Sequence, residues 1–261
     1  MDAALNGPLA GRTALVTGAG SGIGQALCLA FAEAGAYVAV AVRRLESGEA
    51  TAKLLLAEGA PPLVLEMDVT NPKAIEAGLA RAAERFGGLD ILVHNANNND
   101  ASALSIALER VDEAAWAAQG EITLAGAFHC ARAGYPHLAR SGRGRFVLMT
   151  STFGYHGASP NPIYSAQKAS YRAFIKSLAR EWGPDRITVN AIAPAALTPP
   201  TAVFFGENPE IRRRYYRKFA LGRMGDPRED IAAGAVALCG DALQFMTGQT
   251  LHLDGGLYPA A

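Results

Sequence analysis

Seven short apolar runs recur along the chain, and stretches long enough to form helices fill most of the intervals between them. The runs extend from Thr13 to Thr17, Tyr37 to Val42, Leu63 to Asp68, Ile91 to Asn95, Phe146 to Ser151, Thr188 to Ile192 and Thr250 to Leu253. Parallel strands need long, usually helical, crossover connections, so this alternation predicts a parallel sheet. Several runs are nearly continuous Val, Ile, Leu and Ala, as in strands covered on both faces. The expected fold class is α/β: a doubly wound Rossmann sheet of seven strands with helices on both faces. Helices are expected from Gly22 to Ala34, Lys73 to Phe86, Ala114 to Arg140, Tyr164 to Trp182 and Asp230 to Gly240, with Asn71-Pro72 giving the second a cap and a first-turn proline. Half of the 261 residues are hydrophobic and no linker, repeat or low-complexity tract divides them, so one domain over 1–261 is expected. The stretch from Ala195 to Gly225 breaks the rhythm with prolines, aromatics and a basic run, and reads as a lid over the site.

Directly after the first run comes Thr17-Gly18-Ala19-Gly20-Ser21-Gly22-Ile23-Gly24, a glycine-rich turn entering a helix. Glycines let a backbone approach a pyrophosphate closely, and the helix N-terminus attracts its charge. A dinucleotide is implied, with Gly18, Ser21, Gly22, Ile23 and Gly24 at its phosphates. A free ribose 2′-hydroxyl is usually held by an acid ending the second strand, but here the chain reads Val42-Arg43-Arg44. Arg43 and Arg44 offer a 2′-phosphate bidentate donors, Arg43 being the residue assigned to it, so NADP(H) is expected over NAD(H), which stays possible.

Ser151 ends the fifth run, and Tyr164 and Lys168 follow four residues apart at the head of a helix. That spacing puts phenol and ammonium on one face, where the cation is expected to lower the phenol's pKa and suit it to proton transfer. The motifs lie in the order and places that an alternating α/β chain requires.

On these residues the chain resembles the short-chain dehydrogenase/reductases over essentially its whole length, and is similar to the 3-oxoacyl-carrier-protein reductase-like members. The glycine turn, Asp68-Val69, Asn95-Ala96, the Tyr164/Lys168 pair, Asn190 to Pro194 and Gly248 to Gly256 carry the resemblance. It implies that Tyr164 is the acid/base, that Ser151 hydrogen-bonds the substrate oxygen, and that Lys168 tunes Tyr164 and holds the nicotinamide ribose. It also implies cofactor contacts for Asp68, Val69, Asn95, Ala96, Pro194, Leu197 and Thr198, and a homotetramer or dimer built on the long helices Ala114 to Arg140 and Tyr164 to Trp182. The chain departs from the pattern at His94 and Asn97, where asparagine and glycine are usual, and at Thr123, where an asparagine completes the catalytic group. Thr123 would supply that role through its backbone carbonyl. Ala195 follows Pro194 where glycine is usual, and Thr198 comes one residue early. Asparagine enters left-handed conformations readily, so Asn97 is expected to preserve its turn.

Charge and composition bound the rest. With 24 basic against 24 acidic residues, nothing global draws the chain to nucleic acid or an anionic membrane, and a small-molecule partner is expected. No apolar stretch reaches a membrane span and the N-terminus lacks the look of a leader, so a cytoplasmic protein is expected. Cys28, Cys130 and Cys239 read as buried thiols, and no histidine pair has metal-ligand spacing, so no catalytic metal is expected. Phe153, Tyr155, His156, Phe204, Phe205, Tyr215 and Tyr216 are candidate pocket walls, with Phe153 and His156 assigned to substrate; packing within the lid is the other reading of its aromatics. The basic run at Arg212 to Arg214, Arg217 and Lys218 reads as a solvated helix face. Two rival functions remain at this point: an NADP(H)-binding sensor or scaffold with little turnover, and a cofactor-independent lyase or dehalogenase-like enzyme.

Overall fold

The computed structural model describes residues 6–98 and 106–258; residues 1–5, part of the stretch behind the no-leader expectation, lie outside them. All seven apolar runs form strands: β1 (Thr13–Thr17), β2 (Tyr37–Val42), β3 (Leu63–Glu66), β4 (Ile91–His94), β5 (Arg145–Met149), β6 (Thr188–Pro194) and β7 (Thr250–Leu253). They form one parallel sheet in the order β3-β2-β1-β4-β5-β6-β7. The order reverses between β1 and β4, which opens a crevice at their C-terminal ends.

Two apolar clusters cover the two faces. One contains Phe31, Leu27, Val16 and Val93; the other contains Leu79, Leu92, Phe146 and Tyr171. The helices that bring them together are α1 (Gly22–Glu33), α2 (Glu49–Ala57), α3 (Pro72–Phe86), α4 (Glu113–Gly120), α5 (Gly126–Ser141), α6 (Phe153–His156), α7 (Pro162–Trp182), α8 (Pro199–Glu207), α9 (Pro209–Tyr216) and α10 (Ala233–Cys239). As the sequence predicts, Asn71 caps α3, accepting from the backbone N–H groups of Lys73 (3.1 Å) and Ala74 (3.3 Å).

Three differences from the expected elements bear on the site. β3, β4 and β5 stop one or two residues early, because Asp68, Asn95 and Ser151 leave the ladder for the loops at the sheet's C-terminal edge. The long helix expected from Ala114 to Arg140 is divided by a π turn at Glu121–Ala125, and a second π turn at Pro227–Ala232 precedes α10. Helix α2 had no sequence expectation. Cys28, Cys130 and Cys239 are buried free thiols, and no described helix is long and apolar enough to cross a membrane.

Phe31 is fully buried where α1 packs on the sheet. Phe31→Ala should lower stability by about 3–5 kcal/mol in urea unfolding, because the cavity adds to the lost transfer energy; a loss below 1 kcal/mol would mean that the core here is plastic.

Candidate active site

The glycine turn lies at the mouth of the β1/β4 crevice. Thr17 Oγ1 accepts from the amides of Asn95 and Ala96, both at 3.0 Å. In return Asn95 Nδ2 donates to the carbonyls of Thr17 (3.0 Å) and Gly18 (3.1 Å). Gly18 has φ 63° and lies so close to this loop that a Cβ would fall 2.9 Å from Ala96 Cα. A Cβ on Gly24 would overlap the Gly18 carbonyl oxygen. Ser21 begins α1 without a side-chain cap and no acid stands in the first turn, so the helix dipole is left uncompensated by side chains. This cradle suits a dinucleotide pyrophosphate.

The residues expected around that group gather on the same rim. Arg43 is exposed directly after β2. Asp68 Oδ1 accepts from the Thr70 amide (2.9 Å) and hydroxyl (2.8 Å), which fixes the carboxylate beside buried Val69. Pro194 ends β6, and the Leu197 amide donates to the Gly225 carbonyl (2.8 Å) while Gly225 N donates to Ala195 O (2.9 Å), tying the two ends of the 195–225 segment. Thr198 and Pro199 pass within 3.8 Å of where a Gly22 Cβ would stand, so this segment enters across the glycine turn.

The chemical residues stand beside the cradle. After β5, Thr150 Oγ1 donates to the Lys168 carbonyl (2.8 Å), and Gly154 packs so tightly on α7 that a Cβ would lie 2.7 Å from the Lys168 carbonyl carbon. These contacts bring Ser151 to Tyr164, close enough for the serine hydroxyl to act on the phenol. Lys168, fully buried, donates from Nζ to the Met149 carbonyl at 2.7 Å. Its Nζ lies 5.6 Å from the Tyr164 ring centroid and 5.1 Å from that of Tyr171.

The electrostatics differ from the sequence expectation. Burial raises the Tyr164 phenol, with the Ser151 hydrogen bond opposing it, so the protein's own groups do not lower it. Burial instead lowers Lys168 to about 7. The expected lowering of the phenol assumed a cation free of its own desolvation cost.

Thr123 sits in the π turn, fully buried. Its carbonyl accepts from the Tyr171 hydroxyl (2.9 Å) and its Oγ1 from Gln119 Nε2 (3.3 Å). His94 is buried against Tyr171, edge to face at 6.3 Å, and burial holds its pKa near 3. Asn97 does not adopt the left-handed conformation expected of it: among described non-glycine residues only Arg186 has positive φ. Its amide instead bonds the Asn98 carbonyl (3.0 Å). Tyr171 and Gln119 were not singled out from the sequence, although Tyr171 lies three residues after Lys168, on the face that Tyr164 shares.

Among the candidate walls, Phe153 meets Tyr164 edge-on at 6.4 Å. His156 is exposed and stacks on Tyr258 at 4.2 Å, and Tyr155 turns to His252 at 4.4 Å. Phe205 packs with Tyr215 (5.5 Å) and Tyr216 (5.8 Å), so these aromatics form the segment's own core, and Phe204 is exposed. The basic run is exposed, as read from the sequence. Among the described residues no three His, Cys, Asp or Glu side chains come together as a metal-binding group.

Comparison with known proteins bears on the whole chain. Residues 18–258 match the family model described as Enoyl-(Acyl carrier protein) reductase. The 3-oxoacyl-[acyl-carrier-protein] reductase FabG of Vibrio cholerae is 36% identical over 96% of this chain and 98% of its own. The (2S)-[(R)-hydroxy(phenyl)methyl]succinyl-CoA dehydrogenase subunit BbsD of Thauera aromatica is 34% identical over 94% and 96%. A solved structure from Sinorhizobium meliloti, described as a short-chain alcohol dehydrogenase, superimposes with TM-score 0.88 and 38% identity, covering 97% of this chain and 98% of the other.

The lowered Lys168 has a consequence for stability. The unfolded chain keeps this proton up to about pH 10, whereas the folded chain releases it near 7, so unfolding takes up a proton between those values and stability rises with pH. In urea titrations at pH 7 and 9.5, the wild type should gain on the order of 2 kcal/mol more than Lys168→Met; equal gains would contradict the buried, depressed ammonium.

Proposed function

The chain belongs to the short-chain dehydrogenase/reductase family of NAD(P)-dependent oxidoreductases, and on that premise we propose that it acts on a carbonyl/secondary-alcohol pair with NADP(H) preferred and NAD(H) possible. The convergence of Ser151, Tyr164 and Lys168 beside the glycine cradle carries this reading. The nicotinamide, when bound, supplies or takes the hydride. The protein's residues handle the oxygen. Ser151 hydrogen-bonds it, and the Tyr164 hydroxyl gives it a proton in reduction and removes one in oxidation. Lys168, when protonated, places a positive charge beside the phenol, and it reaches the ribose. Thr123 acts through its carbonyl in the wall behind Lys168.

Arg43 supports the NADP(H) preference, since no acid competes at the end of β2. Gly18, Ser21, Gly22, Ile23 and Gly24 would hold the pyrophosphate, Asp68 and Val69 the adenine side, and Ala96, Pro194, Leu197 and Thr198 the nicotinamide side. Asn95 serves the same site by fixing the turn. Phe153 beside Tyr164, with His156 at the rim, favours a substrate with an apolar or ring portion, and the 195–225 segment would act as its lid. The named activities of the relatives leave the sensor and lyase readings unneeded. Exposed Trp116, Leu124, Phe128 and Tyr135 along α4, the π turn and α5 support a dimer or tetramer formed through those segments. We place the protein in the cytoplasm.

The test is oxidation of NADPH and NADH against ketones, aldehydes, quinones and acyl thioesters. Tyr164→Phe should lower kcat by roughly 10²–10⁴-fold with little change in NADPH binding, and unchanged turnover would remove Tyr164 from the chemistry. Arg43→Ala should weaken NADPH binding more than NADH binding in fluorescence titrations, while equal losses would retire the 2′-phosphate assignment.

A further inference from the structure

We propose that Tyr171 is a positioning residue for Lys168: its ring face holds the lysine ammonium opposite Tyr164, and its hydroxyl, anchored on the Thr123 carbonyl, fixes that ring. The proposal deepens the reading of Tyr164 and Lys168 given above and rests on it for its effect on turnover.

Lys168 is a buried cation with no carboxylate partner among the described residues, and Nζ donates to the Met149 carbonyl. The groups around it come from several elements. Its own helix brings Tyr164 and Tyr171, β4 brings His94, the segment ending β5 brings Met149 and Ser151, and the π turn brings Thr123, with Cys130 of α5 beyond Tyr171. None of them is an anion near neutral pH: His94 is held near 3 and is uncharged, burial pushes the Cys130 thiol up to about 12, and burial raises both phenols. The remaining attraction for the charge comes from carbonyl dipoles and ring faces. At 5.1 Å the Tyr171 ring lies within the range where a cation is drawn to an aromatic face.

The ring is itself held at three points. Tyr171 is fully buried, its hydroxyl donates to the Thr123 carbonyl at 2.9 Å, and His94 meets it edge-on. The acceptor lies in the π turn, a geometry often found at functional sites because it alters the regular helical pairing. The hydroxyl thus acts as an anchor, and the face does the electrostatic part.

The test reads Lys168 directly, by NMR titration of the full chain with isotope-labelled lysine. Only five lysines are present, and Lys168→Arg identifies the relevant signal. Tyr171→Phe keeps the ring and should titrate within about 0.3 pH units of wild type. Tyr171→Leu should bring the Lys168 midpoint down by about one unit, since a desolvated cation–π contact is of that order. Pentafluorophenylalanine at 171 keeps the ring's size while removing its negative face, and should match the leucine variant; this comparison decides the matter if Tyr171→Leu does not fold. Identical midpoints in the phenylalanine and pentafluorophenylalanine proteins would overturn the proposal. Because the titration needs no substrate, a protein that never turns over would sink the oxidoreductase reading and leave the midpoints to judge Tyr171. In an active protein, the alkaline limb of kcat/KM should shift with the midpoint.

Discussion

Two ends of neighbouring strands are tied together by four hydrogen bonds between Thr17-Gly18 and the 95–96 loop, and the site is arranged around that tie. Thr17 Oγ1 receives two amides, and Asn95 returns its side-chain N–H groups to the Thr17 and Gly18 carbonyls. β1 and β4 are the pair at which the strand order reverses, so their connecting loops would otherwise splay apart. The tie turns the splay into a cradle of set width, and Gly18 and Gly24 are required because backbone fills the space where their side chains would be. Cofactor geometry therefore depends on a threonine hydroxyl and an asparagine amide as much as on the glycines.

The neighbouring chemical site depends on exclusion of water. Lys168 is taken out of solvent with carbonyls and ring faces in place of a counterion, and the cost of that desolvation appears as its lowered proton affinity. The same burial raises Tyr164. Each of the two groups is shifted toward its neutral form, so of the pair it is the lysine whose charge is most easily changed by what binds beside it. A solvated lysine on an exposed helix would lack this sensitivity.

The strands were legible because a parallel sheet buried on both faces leaves near-continuous apolar runs, and all seven such runs pair in the sheet. Their ends were less legible, since Asp68, Asn95 and Ser151 belong to the apolar runs in sequence yet leave the ladder for the loops at the sheet's C-terminal edge. The π turn was hidden because one extra residue in a helical turn hardly alters a polar/apolar pattern. The direction of the Tyr164 shift was misread for another reason: spacing shows that a cation is near, whereas desolvation depends on residues from four other segments. Aromatic composition drew Phe205, Tyr215 and Tyr216 toward the pocket, but each ring packs on another within the 195–225 segment.

The departures at His94 and Thr123 looked independent in sequence, some thirty residues apart. In the fold both meet Tyr171, one in an edge-to-face ring contact and the other through the carbonyl that takes its hydroxyl. A tyrosine at this fully buried position needs an acceptor for its O–H, and the π turn provides one without calling on the side chain of residue 123. That leaves a threonine tolerable there, its hydroxyl satisfied by Gln119. An asparagine restored at 123 alone would add a bulkier amide to a filled polar cluster while its carbonyl stayed engaged by Tyr171. These positions therefore act as one packed unit behind Lys168, and the effect of changing any of them depends on the others.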